Sequence, residues 1–425
     1  MNVFHLEQIN GKWFLMSPAG KPFYMMGANH YTDGTYLPLN REEKYGDKAT
    51  WRKSVRDRHL EWGFNYLPPS IGPSEVSTEA IPPARGSDGS TRSNAPGHRT
   101  DEWSAADFAE SGMPFTAFLG YPKQYMGNSG GMPDVFSREF REGVDKRCRE
   151  FCAPLKDNPN LIGYHFCQNP PWHPHAGAFF DWCHEIVDDH REAKKRWVRL
   201  MKAIYGTVDR WKETYGMPVE SFDDLYDETF VLHGKMSAVN LRRDKIAFMK
   251  RVCEEWYKVY TDTIRKYDPN HLILGDRNSV HLQPLSDWAI HIMTKYIDVV
   301  SINVMGPMNI ALKEMEQVTC HWDGPIHLAD TGAGIYNGSY PKATYMCRDL
   351  AEFEDVYSTY LKLGIEHPQV IGMGWCGYYE TQSMRSGLVD SLTDEPDADK
   401  VAVAKKWNEW MAETYPALAA ETAAQ

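Results

Sequence analysis

The stretch Leu161-Ile-Gly-Tyr-His-Phe-Cys-Gln-Asn-Pro-Pro-Trp172 joins an apolar run, Leu161 to Phe166, to polar residues, two prolines and a tryptophan. A short apolar run that breaks off this abruptly reads as a buried strand that delivers its last side chains into a cleft. Similar runs recur along the chain. Phe23 to Tyr31 is read as the first strand of a parallel sheet, 63–67 as the second and Met113 to Gly120 as the third. After the opening stretch, the fourth, come 271–276, 297–303, 325–330 and 370–375. Helical patterns separate most of them, over 51–61, 137–155 with Ser137 as N-cap, 188–215, 236–267, 343–363 and 400–415. Strands alternating with helices in this number predict an α/β fold, a (β/α)8 TIM barrel, with its chemistry at the C-terminal strand ends.

The barrel reading absorbs all 425 residues as one unit, since such barrels reach this size with insertions. Residues 12–24 are read as two short strands around Pro18-Ala-Gly-Lys21, within an N-terminal segment 1–24. A long loop, 68–103, follows strand two, and a largely helical insertion, 173–268, follows strand four. The loop is rich in Pro, Gly, Ser and Thr and contains Arg85, Arg92, His98 and Arg99. A loop of this length inside a compact domain is either functional or a solvated surface segment.

Composition narrows the partners. A net charge of -12 argues against duplex nucleic acid or an anionic membrane, both of which are bound through surplus Lys and Arg. No run approaches the roughly 18 apolar residues that span a bilayer. The N-terminal sequence lacks a basic-then-apolar leader pattern, which predicts a cytoplasmic protein, or a secreted one if a leader has been removed. Eight cysteines without a CxxC pair point to reduced, buried thiols rather than a zinc site. Aromatic residues make up 13%; most belong to the core, and the rest suit the apolar faces of sugars.

Several stretches resemble the retaining glycoside hydrolases of clan A, especially beta-agarases and bacterial beta-galactosidases. Gly11-Lys-Trp-Phe-Leu-Met-Ser-Pro-Ala-Gly-Lys-Pro-Phe-Tyr-Met-Met-Gly-Ala-Asn29 is similar to the agarase run that enters strand one. Met132-Pro-Asp-Val-Phe-Ser-Arg-Glu-Phe140 is similar to a second agarase run, and 193–225 to the helical insertion after strand four. Residues 271–277, 297–303 and 386–390 match later elements, so the likeness spans nearly the whole chain. It implies hydrolysis of oligosaccharides, exo-acting on agar or porphyran-type galactan fragments, with no cofactor. A homo-oligomer is compatible with it.

That family places Asn-Glu at the end of strand four and a second Glu at the end of strand seven. Here Gln168 and Asn169 stand at the first position and Asp330 at the second. An amide does not exchange protons at neutral pH as a carboxyl does, so the two-carboxylate retaining mechanism does not transfer intact. Three explanations follow: another acid serves in its place, an amide has been substituted for the glutamate, or hydrolysis has been lost.

Asp330 is the first catalytic candidate, and its shorter side chain suits an inverting reaction with a water between carboxyls roughly 6.5 to 9.5 Å apart. The loop Thr331-Gly-Ala-Gly334 after it would open toward the mouth. Asp276, beside Arg277, and Glu380 are the candidate partner acids, with Asp33 behind them; Asp276 equally suits a buried ion pair. His30, Asp33, His165, Gln168, Asn169 and Asn303 are expected to bind substrate, with Trp172 and Trp375 as sugar platforms. His165 also suits a hydrogen-bonded core histidine. Two alternatives from other classes are a carbohydrate-binding barrel without turnover and a metal-dependent sugar isomerase or lyase. The second would draw on His30, His165, His173 and His175, although two histidines in a proline loop are a thin ligand set, and no metal is expected.

Overall fold

The computed structural model describes residues 2–31, 44–69, 103–120, 133–168, 170, 172, 191–226, 238–336, 345–380 and 386–424. The chain starts with a hairpin, β1 (His5–Ile9) and β2 (Lys12–Met16). Asn10 (φ 45) and Gly11 (φ 85) form its turn, because a two-residue hairpin needs positive φ at both central positions. Thus the segment 12–16 pairs backward with 5–9, rather than only forward across Pro18–Lys21 as predicted. The forward turn also exists, with Gly20 N–H donating to the Ser17 carbonyl at 2.8 Å.

Seven parallel strands follow in one sheet: β3 (Met25–Ala28), β4 (Phe115–Phe118), β5 (Leu161–Gln168), β6 (Leu272–Asn278), β7 (Val300–Met305), β8 (Ile326–Ile335) and β10 (Val370–Trp375). A short β9 (Tyr345–Cys347) extends the far end of β8. Their order is β3-β10-β8-β7-β6-β5-β4. The eighth stave, 64–67, bridges the open edges. Leu67 pairs with Phe115 in parallel, and Asn65 N–H donates to the Met26 carbonyl at 2.9 Å. The Asn65 side chain completes the seam: its Oδ1 accepts from Met26 N–H at 2.8 Å and its Nδ2 donates to the Tyr24 carbonyl at 2.8 Å. The predicted TIM-barrel fold is therefore observed, with all eight segments in sequence order around the ring.

One end of the barrel is plugged. Phe4 and Leu15 from the hairpin pack with Met25, Tyr66, Ile162, Leu274, Val299 and Ile371, one from each of six ring segments. Trp13 anchors the plug, its N–H donating to Pro368 and its indole to the Asp323 carbonyl, both just before strands begin. The chemistry is thereby confined to the opposite, C-terminal end.

Above this plug, simple alternation fails. Residues Ile162, Leu274 and Val299 share the inner layer, yet the register slips between Tyr164 and His165 on β5 as paired to β6, and between Ile302 and Asn303 on β7 as paired to β8. On β6 the extra residue falls between Ile273 and Gly275, and Gly275 sits at φ 64, a conformation that strongly favours glycine. On β8 the extra residue falls between Leu328 and Asp330. Each bulge turns the following side chains onto the other face. Arg277, not Asp276, consequently lies inside the barrel, and Asp330 lies inside as well.

Helices wrap the ring and share one large apolar cluster that runs from Phe14 to Ala419. Ser137 caps the helix Arg138–Leu155, its Oγ accepting from Phe140 N–H, as the sequence predicts. The stretch read as one helix over 188–215 is two, Arg191–Tyr205 and Val208–Tyr215, split at Gly206 with φ 73. The seven described cysteines are free thiols. Among the described residues no helix is long and apolar enough to cross a membrane.

Candidate active site

The unplugged end gathers Asn29, His30, Tyr66, Arg277, His327, Asp330 and Cys376. Asn29 ends β3, with its Nδ2 donating to Asp330 Oδ1 at 2.9 Å and to the Ala329 carbonyl at 3.0 Å. Arg277 approaches the same two atoms. Its Nη2 donates to the Ala329 carbonyl at 2.8 Å and lies 3.4 Å from Asp330 Oδ1. The carbonyl exposed by the β8 bulge is therefore held by the two side chains that also hold the carboxylate. His30 approaches from the other side, its Nε2 4.0 Å from Asp330 Oδ2, on a backbone with φ 60. A non-glycine residue at positive φ carries strain and is uncommon outside functional sites and turns.

Arg277 is fully buried, and its Nε and Nη1 have no hydrogen-bond partner among the described residues. The same holds for Gln168 Oε1, Asn303 Oδ1, Asn29 Oδ1 and His327 Nδ1. Buried polar atoms are nearly always paired, so this ring of donors and acceptors is suited to the hydroxyls of a bound ligand. Below it, Tyr66 Oη contacts His327 Nε2 at 3.2 Å, and the His165 and His327 rings lie 5.8 Å apart. Burial, with Arg277 next in effect, pushes the His327 imidazole down to about 3. Burial likewise lowers His165 well below the ordinary range. Both rings are neutral, which leaves Arg277 as the cation of this layer.

The expected partner acids stand elsewhere. Asp276 faces outward, where its carboxylate accepts from the Trp172 indole at 3.1 Å and the Trp256 indole at 3.2 Å. The ion pair considered with Arg277 does not form, because consecutive strand residues point to opposite faces and the bulge at Gly275 gives the inner one to Arg277. The expectation that Asp276 meets substrate is corrected for the same reason. Glu380 pairs with Lys400 at 2.7 Å, so its carboxylate is tied to the C-terminal helix rather than to the Asp330 cluster. Trp172 and Trp375 are corrected too: both are fully buried. Trp172 closes the cage around Asp276, and Trp375 packs against Phe353 and Tyr357 with its indole N–H on the Ser386 carbonyl at 2.9 Å. Neither offers an open face to a sugar. Thr331–Gly334 is a buried part of β8 rather than a loop. Asp33, Asn169, His173 and His175, with Arg85, Arg92 and Arg99, lie outside the described residues.

Asn303 lies on the inner face opposite Asp330 in the β7–β8 register, with its Nδ2 donating to Ser279 Oγ at 2.9 Å. Gln168 pairs in register with Arg277. The sequence reading missed Asn29, His281, His327 and Tyr66. Asn29 had a visible signal, a polar residue just after an apolar run; His281, which reaches the Asn303 carbonyl at 3.1 Å, had none. His30, Asp330 and Cys376 place one donor atom each within 4.8 Å of one another. This set could hold a transition metal, but the Arg277 guanidinium beside Asp330 opposes a second cation.

The caged Asp276 carries a testable consequence. Burial pushes its carboxyl up to about 7, against the opposing hydrogen bonds from Tyr257, Trp172 and Trp256. Between pH 4 and 7 the folded chain therefore keeps a proton that the unfolded chain has released, and stability falls as pH rises through 7. The full effect is about 4 kcal/mol. Asp276→Asn, which imitates the protonated group, should be more stable than the parent at pH 8 and lose more than half of that advantage at pH 5. Urea unfolding at both pH values checks this; an equal difference at the two would refute it.

Comparison with known proteins agrees with the barrel fold. No protein-family model matches the sequence. Over 98% of its length the chain superposes on 66% of an agarase, AgWH50C, with a TM-score of 0.72 at 18% identity. An exo-beta-agarase gives 0.73 at 18% identity over 97% of this chain and 65% of that one. A beta-galactosidase from Halorubrum lacusprofundi gives 0.60 at 13% identity over 91% and 58%. The fold is thus the barrel that these two agarases and the beta-galactosidase share. More particularly, the sequence is homologous to beta-agarase B of Vibrio sp. (strain JT0107), with 21% identity over 409 residues covering 88% of this chain. The match spans 38% of that agarase, well under half its length.

Proposed function

We propose that this chain is a glycoside hydrolase that acts on agar- or porphyran-type galactan oligosaccharides from a chain end. The observation that carries the reading is Asp330, a carboxylate fixed by Asn29 and Arg277 on the inner wall of an agarase-like barrel and ringed by buried polar atoms without partners among the described residues. In the reaction, Asp330 takes a proton from water, the water oxygen bonds to the anomeric carbon, and the glycosidic oxygen leaves with a proton from an acid. With Asp276 and Glu380 turned elsewhere, that acid is assigned to Asp33. His30 and Asn303 are assigned to sugar hydroxyls, as are Gln168 and Asn169. A fixed donor set that meets developing charge is the usual source of large rate effects.

One observation favours a second reading. Among the described residues no other carboxylate hydrogen-bonds or ion-pairs within the Asp330 cluster, which suits a barrel that binds the sugar without cleaving it. Incubation with a panel of agar- and porphyran-type oligosaccharides, with product anomers followed by proton NMR, separates the two. Release of an inverted sugar supports hydrolysis. Tight binding by calorimetry with no product supports the binding barrel instead.

A further inference from the structure

A second feature lies on the outer flank, away from the barrel mouth. The helix Arg191–Tyr205 holds six Lys or Arg against one Glu. Within the helix Ala238–Tyr267, residues 242–251 add five more against Asp244. In a chain of net charge -12, this concentration of positive charge is local. The two helices border a groove of about 390 Å³ lined by Phe136, Phe248 and Tyr296 and by Arg196, Arg199 and Arg251. The three arginines are exposed, and none forms an ion pair among the described residues. Arg196 lies over the Phe136 ring at 5.6 Å. The acidic side of the groove is partly neutralised, since Glu255 is paired with Arg141.

We propose that this groove is a second saccharide site that takes a sulfate-bearing sugar of a polysaccharide chain. Phe136 and Phe248 are buried and form the groove's floor, while Tyr296 is half-buried and leaves one ring to meet the apolar face of a hexose. Guanidinium groups suit sulfate, whose oxygens accept paired N–H donors in the fork geometry also used for carboxylate and phosphate. Glu254 and Glu255 also line the groove, but among the described residues none of the three arginines is ion-paired, which leaves their donors to a ligand. The site would hold a sulfated chain along the barrel flank while another part of it reaches the mouth. This goes beyond the proposed hydrolysis and does not depend on it, because binding is read without turnover.

The test is calorimetry on the full chain with a sulfated galactan oligosaccharide, its desulfated counterpart and a single-stranded oligonucleotide of matched charge. The same titrations are run on a variant carrying Arg196→Gln, Arg199→Gln and Arg251→Gln. These residues are exposed, so the variant should keep the parent's melting temperature. The sulfated ligand should bind the parent at least about tenfold more tightly than the desulfated one, a difference of ~1.4 kcal/mol. The variant should lose that preference while its affinity for the desulfated ligand is unchanged. Equal affinities in the parent would overturn the proposal, as would a preference that survives in the variant. Oligonucleotide binding as tight as that of the sulfated sugar would also overturn it, by showing an undirected polyanion surface.

Discussion

Asp330→Asn should lower turnover of a cleavable galactan oligosaccharide by on the order of 10⁴-fold, the loss typical when a catalytic carboxylate or its equivalent is removed. The amide keeps the shape and can still accept from Asn29, but it neither takes a proton from water nor opposes charge at the anomeric carbon. A structural consequence accompanies the kinetic one. Arg277 is fully buried, and the substitution removes the one carboxylate beside it, so the variant should also be less stable, by roughly 3 kcal/mol. Calorimetric binding of the intact oligosaccharide then distinguishes a folded, inactive protein from an unfolded one. If the variant binds sugar and still turns it over at the parent rate, Asp330 has no part in the chemistry and the proposed reaction fails.

The second large effect is loss of stability in acid. His59 is buried, with Nδ1 on the Val55 carbonyl and its ring stacked 5.2 Å from Tyr378; burial pushes it down to about 4. His327 is lowered to about 3 and His165 also falls well below its usual value. A depressed histidine is neutral in the folded chain while the unfolded chain takes up a proton. Its contribution is therefore intact above pH 6.5 and is lost as pH falls toward the folded value. At pH 4 His59 and His327 each cost roughly 3 kcal/mol, and His165 acts in the same direction. Asp276 works in the opposite direction, since acid restores about 4 kcal/mol there, but three histidines outweigh it. Unfolding free energy should drop by several kcal/mol between pH 6.5 and 4. His327→Gln should flatten part of that fall, provided the glutamine amide replaces the contact with Tyr66. A pH-independent unfolding midpoint across this interval would contradict the assignment of neutral buried rings.

The barrel was legible because each stave is an apolar run bounded by Gly, Pro or polar residues, and hydrophobic burial dictates that pattern whatever the site does. The facing of the site residues was not legible. Alternation from Leu274 points Asp276 inward, and only the positive φ of Gly275 reverses this. A glycine inside a strand signals a bulge or a close approach, so the hint was present beside the very residue that was misplaced. The two tryptophans failed for another reason. Their position after strand ends suggested open rings, but the sequence does not show that Asp276 needs an indole N–H or that Phe353 and Tyr357 surround Trp375. Asp330 was visible as an acid on an apolar strand, whereas its support by Asn29 depends on β3 and β8 converging across more than 300 positions of chain, a contact that no local pattern encodes.

The Gly275 bulge also bears on how such barrels can change length. Because the bulge absorbs one residue, Leu274 and Arg277 keep the same facing that they would have on a regular strand one residue shorter. An insertion or deletion at this place is therefore nearly silent for the mouth. Strands of unequal length can diverge around a fixed arrangement of side chains, and a gap here in an alignment need not mark a change of chemistry.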